Sequence, residues 1–474
     1  MDQARNPPVR RLQWKKDFAT RRRTLYSRLD NHLKAAPGCS IVDEFLSCAT
    51  SDLEPPRRHE VLRNFLDRTG ARSFPEALTT CLADKRLLAM VDDRCDPSID
   101  WEATGELPLR PWESDKYRGL PPSGLNARVY GANAEMLYNC LQGNRKGVAE
   151  RRIVYIADLT PLMALAMISS VAYLHLPQTR LYLSRHVEFQ TYMGISQVRG
   201  FILEFHIPHY VLRPGRREFH DTRGLRKRRY FRPPGNDEQD CIYEAQLSLI
   251  VSGVDDFVWT AYFCGDTYFS GENSAKGYLN EELDGPSGGL RECRQPIWDP
   301  RYYFITALSA RIDHVTMEWT VLVRFLEDYL DPHSEINPES LPKFLEDDPA
   351  LDRTKEYTWT LCILRRLRNS ITKLTTTWDA FEANHGSCFD LEADGALHDR
   401  FREYLNRIRQ DVAELSGLHM VLDQRIETLE KMASVLVNAS ALAESMTATR
   451  QGDHIKLLTY ITIVRDAYPE KKHS

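Results

Sequence analysis

Apolar residues in the last third of the chain recur at alternating steps of four and three: Phe401, Leu405, Ile408, Val412, Leu415 and, past the polar His419, Leu422, Ile426, Leu429, Ala433 and Leu436. That period predicts one long helix burying a heptad stripe against partner helices. The helix continues through the small-residue stretch 439–448 into an apolar segment, 455–464, closed by Arg465, Asp466 and then Pro469. Two further helices precede it. Asp299 and Pro300 supply an N-cap and a first-turn proline for a helix carrying Ile305, Leu308, Ile312, Val315, Trp319, Leu322, Leu326 and Tyr329. The second carries Leu361, Leu364, Leu367, Ile371, Leu374, Trp378 and Phe381. The acidic, proline-broken stretch 327–352 between them reads as solvated loop and short turns.

Upstream the period falls to two. Phe201, Leu203, Phe205 and Ile207 alternate with Glu204 and His206, and Tyr243, Ala245, Leu247, Leu249 and Val251 alternate with Glu244, Gln246 and Ser248. Both runs predict strands with one buried face. The β-branched run at 153–156 leads into Thr160 and Pro161, an N-cap and first-turn proline, so a strand feeds directly into a helix. A turn at 252–256 precedes another strand-like run at 257–263. The fold class is therefore α+β, a mixed sheet with flanking helices followed by a long-helix bundle. Four regions follow: a mainly helical N-terminal region over 1–145, an α/β sheet domain over 146–295, three stalk helices over 296–464, and a polar tail over 465–474.

The 474 residues, 42% of them hydrophobic, suffice for two or three folded units. A net charge of −5 gives no global reason to bind nucleic acid or an anionic membrane, so any partner must be met locally. The ten cysteines show no close pairs of the kind that zinc sites or redox dithiols need, and the N-terminus lacks the apolar core of a signal peptide. A cytoplasmic chain with reduced thiols is expected. No stretch reaches the roughly 18 to 20 uncharged apolar residues of a membrane span; 159–176 reads as a buried helix, and 457–464 is too short.

Candidate chemistry is sparse. His186, His206, His209 and His220 do not have the spacing of a helical ligand pair, and alternation puts His206 and His209 on opposite faces of a strand. The carboxylates of Glu327, Asp328, Asp331, Glu346, Asp347 and Asp348 are hard oxygen ligands of the type Mg2+ accepts, against the plainer reading of a solvated acidic loop. Arg216, Arg217, Arg223, Arg226, Lys227, Arg228, Arg229 and Arg232, with Tyr230 and Phe231 among them, form the strongest basic segment. It reads as a mobile loop inserted between two strands, with an RNA, nuclear-import or anionic-lipid contact as the sharper alternatives. The loop at 284–289 lacks the Lys-Ser/Thr of a phosphate-binding loop, and neither a nucleophile elbow nor a His-Glu-x-x-His helix is present, so no catalytic or cofactor-binding residue is assigned.

Four stretches carry a resemblance: Arg152 to Leu159 ahead of a helix, Gly200 to Pro208, Trp259 to Phe269 with Asp266-Thr267-Tyr268, and Glu444 to Val464. Over about 130–464 the chain resembles the cytosolic part of CorA-like divalent-cation transporters, especially their fungal branch. The resemblance implies a CorA-like cytosolic funnel domain in which 401–464 is the stalk and 455–464 its passage toward the bilayer. It also implies homo-oligomers built through the stalk helices, Mg2+ as a regulatory ion sensed by carboxylates, and full-length relatives that are integral membrane proteins. The family's two C-terminal spans and its Gly-Met-Asn pore signature have no counterpart here, and a polypeptide without a spanning segment provides no pore. The expectation is a truncated, non-transporting CorA-like domain, not an enzyme, that acts by assembly with itself or with full-length relatives and meets the membrane only indirectly. The tail after Val464 is what a retained intron, frameshift or premature stop at the start of a span produces. The alternative is an independent coiled-coil interaction protein whose basic segment contacts nucleic acid or lipid.

Overall fold

A computed structural model describes residues 14–18, 22–29, 31–36, 38–47, 56–80, 86–94, 127–143, 149–197, 200–214, 219–230, 240–270, 274–334, 352–389 and 396–467. In chain order the helices are α1 (Trp14–Phe18), α2 (Arg23–Leu29), α3 (Ile41–Ser47), α4 (Pro56–Leu66), α5 (Phe74–Thr80), α6 (Ala134–Gln142), α7 (Pro161–Ser170), α8 (Leu176–Val187), α9 (Ser274–Asn280), α10 (Pro300–Ser334), α11 (Asp352–His385) and α12 (Ala396–Ala467). The strands are β1 (Ala89–Arg94), β2 (Ala127–Ala132), β3 (Arg151–Ala157), β4 (Tyr192–Gln197), β5 (Phe201–Arg213), β6 (Arg228–Tyr230), β7 (Cys241–Gly253) and β8 (Trp259–Gly265). The architecture is α+β. Contacts divide the chain into two compact units: residues 1–230, 236–322 and 370–417 form the first, and 231–235, 323–369 and 418–474 the second.

The first unit is built on an eight-stranded mixed sheet of order β2-β1-β3-β8-β7-β5-β4, with β6 paired to β7. β3 and β8 run parallel, while the other pairs are antiparallel. One face carries Val154, Ile156, Ile202, Ile250 and Cys264 and packs on α7, α8 and the helices α3 to α6. Every residue of α7 from Leu162 to Ser170 is buried, as expected of the apolar run at 159–176, but the helix ends at Ser170 and Tyr173 is exposed before α8 begins. The opposite face carries Tyr155, Phe205 and Phe263. Tyr155 meets Tyr278 of α9, Phe205 meets Phe304 of α10, and Arg311 of α10 lies over the Phe263 ring.

Two departures from the sequence reading stand out. The sheet takes β1 and β2 from the region read as mainly helical. β1 carries Asp92, Asp93 and Arg94 yet is buried along its whole length, because its charges are answered across the sheet. Asp93 pairs in register with Arg152, whose Nε and Nη2 donate to its two oxygens at 2.7 and 2.9 Å, and Arg151 Nη2 donates to Asp92 at 3.3 Å. β5 and β7, in turn, are buried on both faces, since α8 covers the polar side that alternation alone leaves to solvent.

Helix starts follow local chemistry. Thr160 accepts from the Met163 N–H, and Asp299 Oδ1 accepts from the Arg301 and Tyr302 N–H groups at 2.8 and 3.0 Å. These bonds satisfy first-turn donors that have no carbonyl ahead of them. Asp299→Ala is expected to lower stability by about 1 kcal/mol, read as a shift of the urea midpoint at unchanged slope.

In the second unit α10, α11 and α12 bury Leu326, Leu330, Leu361, Leu364, Leu367, Leu422, Ile426, Leu429 and Leu436. The heptad stripe read from sequence is thus the packed face. Polar bonds flank it: Tyr329 Oη to Glu356 at 2.6 Å, Arg365 to Glu430 at 2.6 Å and Arg368 to Asp423 at 3.0 Å.

Candidate functional site

The polar side of β5 and β7 meets α8 in a buried network. Register places His206 opposite Ser248, and Ser248 Oγ lies 2.8 Å from His206 Nδ1 and 2.9 Å from His186 Nδ1. His206 Nε2 is 2.7 Å from Glu204, which also accepts from Arg185 at 2.7 Å. His186 and His206 thus share one hydroxyl, a meeting that their spacing in sequence does not show. A serine, a histidine and a carboxylate in line have the connectivity of a nucleophile, base and orienting group. Here, however, Ser248 is fully buried beneath α8 and its hydroxyl is divided between two imidazoles, so no substrate approaches it in this conformation. Burial, with the Arg226 charge beside it, holds His186 well below the ordinary histidine range. Burial likewise lowers His206, against the opposing hydrogen bond to Glu204. The shared hydroxyl and Glu204 serve both nitrogens of His206 and one of His186, whose Nε2 makes no hydrogen bond.

His209 faces the other way, as alternation requires. Its ring centroid lies 6.1 Å from that of His314 on α10, and burial pushes both down to about 4. Beside them Arg213 donates to both oxygens of Glu318 at 3.0 and 2.8 Å. His220 sits apart from all three, on the segment ahead of β6. Among the described residues no group of three or more His, Cys, Asp and Glu side chains is placed to hold a metal ion.

Asp266, just past β8, is the hub of the basic segment. Its Oδ1 accepts from Arg223 Nη1 at 2.8 Å, and its Oδ2 accepts from Arg226 Nε and from the Gln246 N–H. Arg226 also donates to the His186 and Val187 carbonyls at the end of α8. Burial alone would raise the Asp266 carboxyl, but Arg226 and Arg223 outweigh it and hold the group well below the usual carboxylate range. The expected mobile basic loop is thereby corrected: Asp221 ties down residues 223–226 through four donors, β6 pairs with β7, and Arg223 and Arg226 are interior cations. Their burial removes them from any nucleic-acid or lipid surface. A local sign was Asp221, an acid inside the basic run; Asp266 lies beyond β7 and β8, too far along the chain to be read as its partner. Arg216, Arg217, Phe231 and Arg232 lie outside the described residues.

Among the described residues the acidic candidates form no group placed to hold a metal ion. Glu327 accepts from Arg425 at 3.4 Å in the second unit, Asp328 is exposed, and Asp331 lies near the end of α10. Glu346, Asp347 and Asp348 fall outside the described residues.

The end of α12 behaves differently from its packed stripe. Beyond Leu436 no described side chain is fully buried, and Ile455, Leu457, Leu458, Tyr460, Ile461 and Ile463 are 55–73% exposed. At 100° per residue these six positions spread around the whole circumference. The hydroxyls of Thr459 and Thr462 donate to the Ile455 and Leu458 carbonyls of their own helix at 2.7 and 2.8 Å, leaving methyl groups at the surface. Among the described residues no helix is long and apolar enough to cross a membrane.

No protein-family model and no curated protein sequence matches the chain. Solved structures that resemble it include the soluble domain of CorA from Methanocaldococcus jannaschii, 10% identical, covering 60% of this chain and 89% of that one with a TM-score of 0.32. The complete CorA magnesium transporter from the same organism is 9% identical and covers 80% of this chain and 83% of that one at a TM-score of 0.33. The ZntB cytoplasmic domain from Vibrio parahaemolyticus RIMD 2210633 is 9% identical and covers 60% and 89% at 0.26.

Proposed function

We propose that this chain serves divalent-cation transport as a CorA-like cytosolic domain of the fungal branch, acting through assembly and not as a pore by itself. The reading draws on the sequence resemblance and on the order of elements, a mixed sheet followed by three helices. The observation that carries it is the end of α12, with exposed apolar side chains all round it and its threonine hydroxyls turned inward. Such a helix end is stable in water only when something apolar covers it. Further copies of this chain, or full-length CorA-like relatives in a membrane, are the partners we assign to it, with Mg2+ as the ion the assembly senses.

Sedimentation velocity of the full chain, alone and with such a relative, is the test. The wild-type chain is expected to sediment as an oligomer or to join the relative, whereas Leu458→Glu with Ile461→Glu is expected to leave a folded monomer. A wild-type chain that stays monomeric and ignores the relative overturns the proposal. Repeating the run with and without MgCl2 shows whether the ion shifts the equilibrium.

A further inference from the structure

The described residues between 14 and 33 are fastened to the rest of the sheet unit at three points. At the first, Trp14 and Phe18, one turn apart on α1, are 4% and 2% exposed and pack on the Phe201 ring at centroid distances of 4.8 and 5.4 Å. Trp14 Nε1 donates to Asp256 Oδ1 at 2.6 Å, and the Asp256 N–H donates to the Phe18 carbonyl at 3.2 Å. At the second, Asp255 Oδ2 accepts from the Arg22 N–H at 2.7 Å and from Tyr26 Oη at 2.8 Å. At the third, just past α7, the Leu33 N–H donates to the Val171 carbonyl and the Tyr173 N–H to the Asn31 carbonyl. Thr24 and Arg28, between these fastenings, are exposed.

The scaffold beneath is complete without this segment. Asp255 Oδ1 accepts from the Phe257 and Val258 N–H groups of its own turn at 3.0 and 2.9 Å, and β5 pairs with β7 along its whole length. A terminal segment held by a few bonds to such a scaffold belongs to the part of a fold that opens locally. It nevertheless reaches the long helices. The guanidinium of Arg301, at the start of α10, lies 4.9 Å from the Trp14 ring and 5.5 Å from that of Phe401 near the start of α12. Its Nη2 donates to Asp299 at 2.9 Å and its Nη1 to the Cys388 carbonyl, beyond α11, at 3.3 Å. Removing Trp14 strips one aromatic face from the group that joins these three helices.

We propose that residues 14–33 are a releasable strap, which detaches as one piece while the sheet stays folded and, in doing so, frees Arg301 and loosens the starts of α10 and α12. The inference does not rest on the assembly reading, since every residue in it belongs to the sheet unit. Proton uptake fastens the strap. Burial first, then the charge of Asp299 with a further push from Asp255, raises the Asp256 carboxyl to about 6, against the Trp14 bond and Arg301, which pull it down. Opening returns that carboxyl to water and toward its ordinary value, so closing takes up a proton and is favoured at pH 5 over pH 7.5 by up to about tenfold.

Hydrogen exchange of the full chain, read by mass spectrometry at the two pH values and corrected for intrinsic rates, tests this. In the wild type, peptides over 14–33 are expected to exchange well ahead of β7, and more slowly at pH 5. Trp14→Ala with Phe18→Ala should speed exchange in 14–33 and at the starts of α10 and α12 and leave β7 unchanged. Tyr26→Phe, which removes a single bond to Asp255, should do the same to a smaller degree. Asp256→Asn should abolish the difference between the two pH values. Exchange of 14–33 in step with β7 overturns the strap, and helix starts unchanged in both strap variants overturn its coupling to Arg301. A pH difference that persists in Asp256→Asn overturns proton uptake at that carboxyl.

Discussion

Replacing Asp266 by alanine is expected to destabilise the sheet unit by about 3–5 kcal/mol, the size of effect seen when one partner is removed from a buried ionic network. Arg223 and Arg226 would keep their charges inside the protein with no carboxylate between them, and the Gln246 N–H would lose its acceptor. Urea or thermal unfolding measures the loss. Asp328→Ala, at an exposed position on α10, is the control and should stay within about 0.5 kcal/mol of wild type. An Asp266 variant as stable as the control would mean that the two guanidinium groups reach water or another acceptor. Because the Asp266 carboxyl is held below its ordinary range, its contribution is complete above pH 4 and is lost only in strong acid.

The buried histidines act in a different window and in their own direction. His209 and His314 are pushed down to about 4, so the folded protein keeps them neutral while the unfolded chain takes up protons near the ordinary value of about 6.5. Their contribution is therefore full above pH 6.5 and falls as pH drops toward 4. Between pH 7 and pH 5 the expected loss is about 2 kcal/mol for each imidazole. His186 and His206, also lowered by burial, change in the same direction. Urea midpoints measured at half-unit pH steps check this, and a double variant His209→Gln with His314→Gln should flatten the profile. A midpoint constant from pH 7 to 5 in the wild type would show that protons reach these rings without unfolding. Glu318, which faces both, is the group that would accommodate them.

Much of the scaffold is legible in the sequence because its signals are local. Thr160, Asp299 and their prolines cap helices where expected, the apolar stripe from Phe401 to Leu436 is the packed face of α12, and β5 and β7 follow their alternation. Local signals fail where a residue's role is set by a partner far along the chain. Asp92, Asp93 and Arg94 fall in the region read as mainly helical, and nothing local marks them as a buried strand until Arg151 and Arg152 are placed beside them by strand register. Arg223 and Arg226 read as a mobile basic loop until Asp266 is placed between them. Ser248 joins His186 and His206 only through the pairing of β5 with β7 and the seating of α8, neither of which periodicity encodes.

The parallel pairing of β3 with β8 also governs how the sheet can form. Arg151 pairs with Trp259 and Ala157 with Gly265, so the central ladder closes only after the whole of β4 to β7 has been made. During synthesis β3 can pair early with β1, but its other edge stays open, and loop closure over so long a separation makes such pairings slow. An apolar strand edge, Ile153 to Ile156, is thereby exposed until β8 arrives, and it is there that a nascent chain of this protein is most prone to aggregate and most in need of a chaperone.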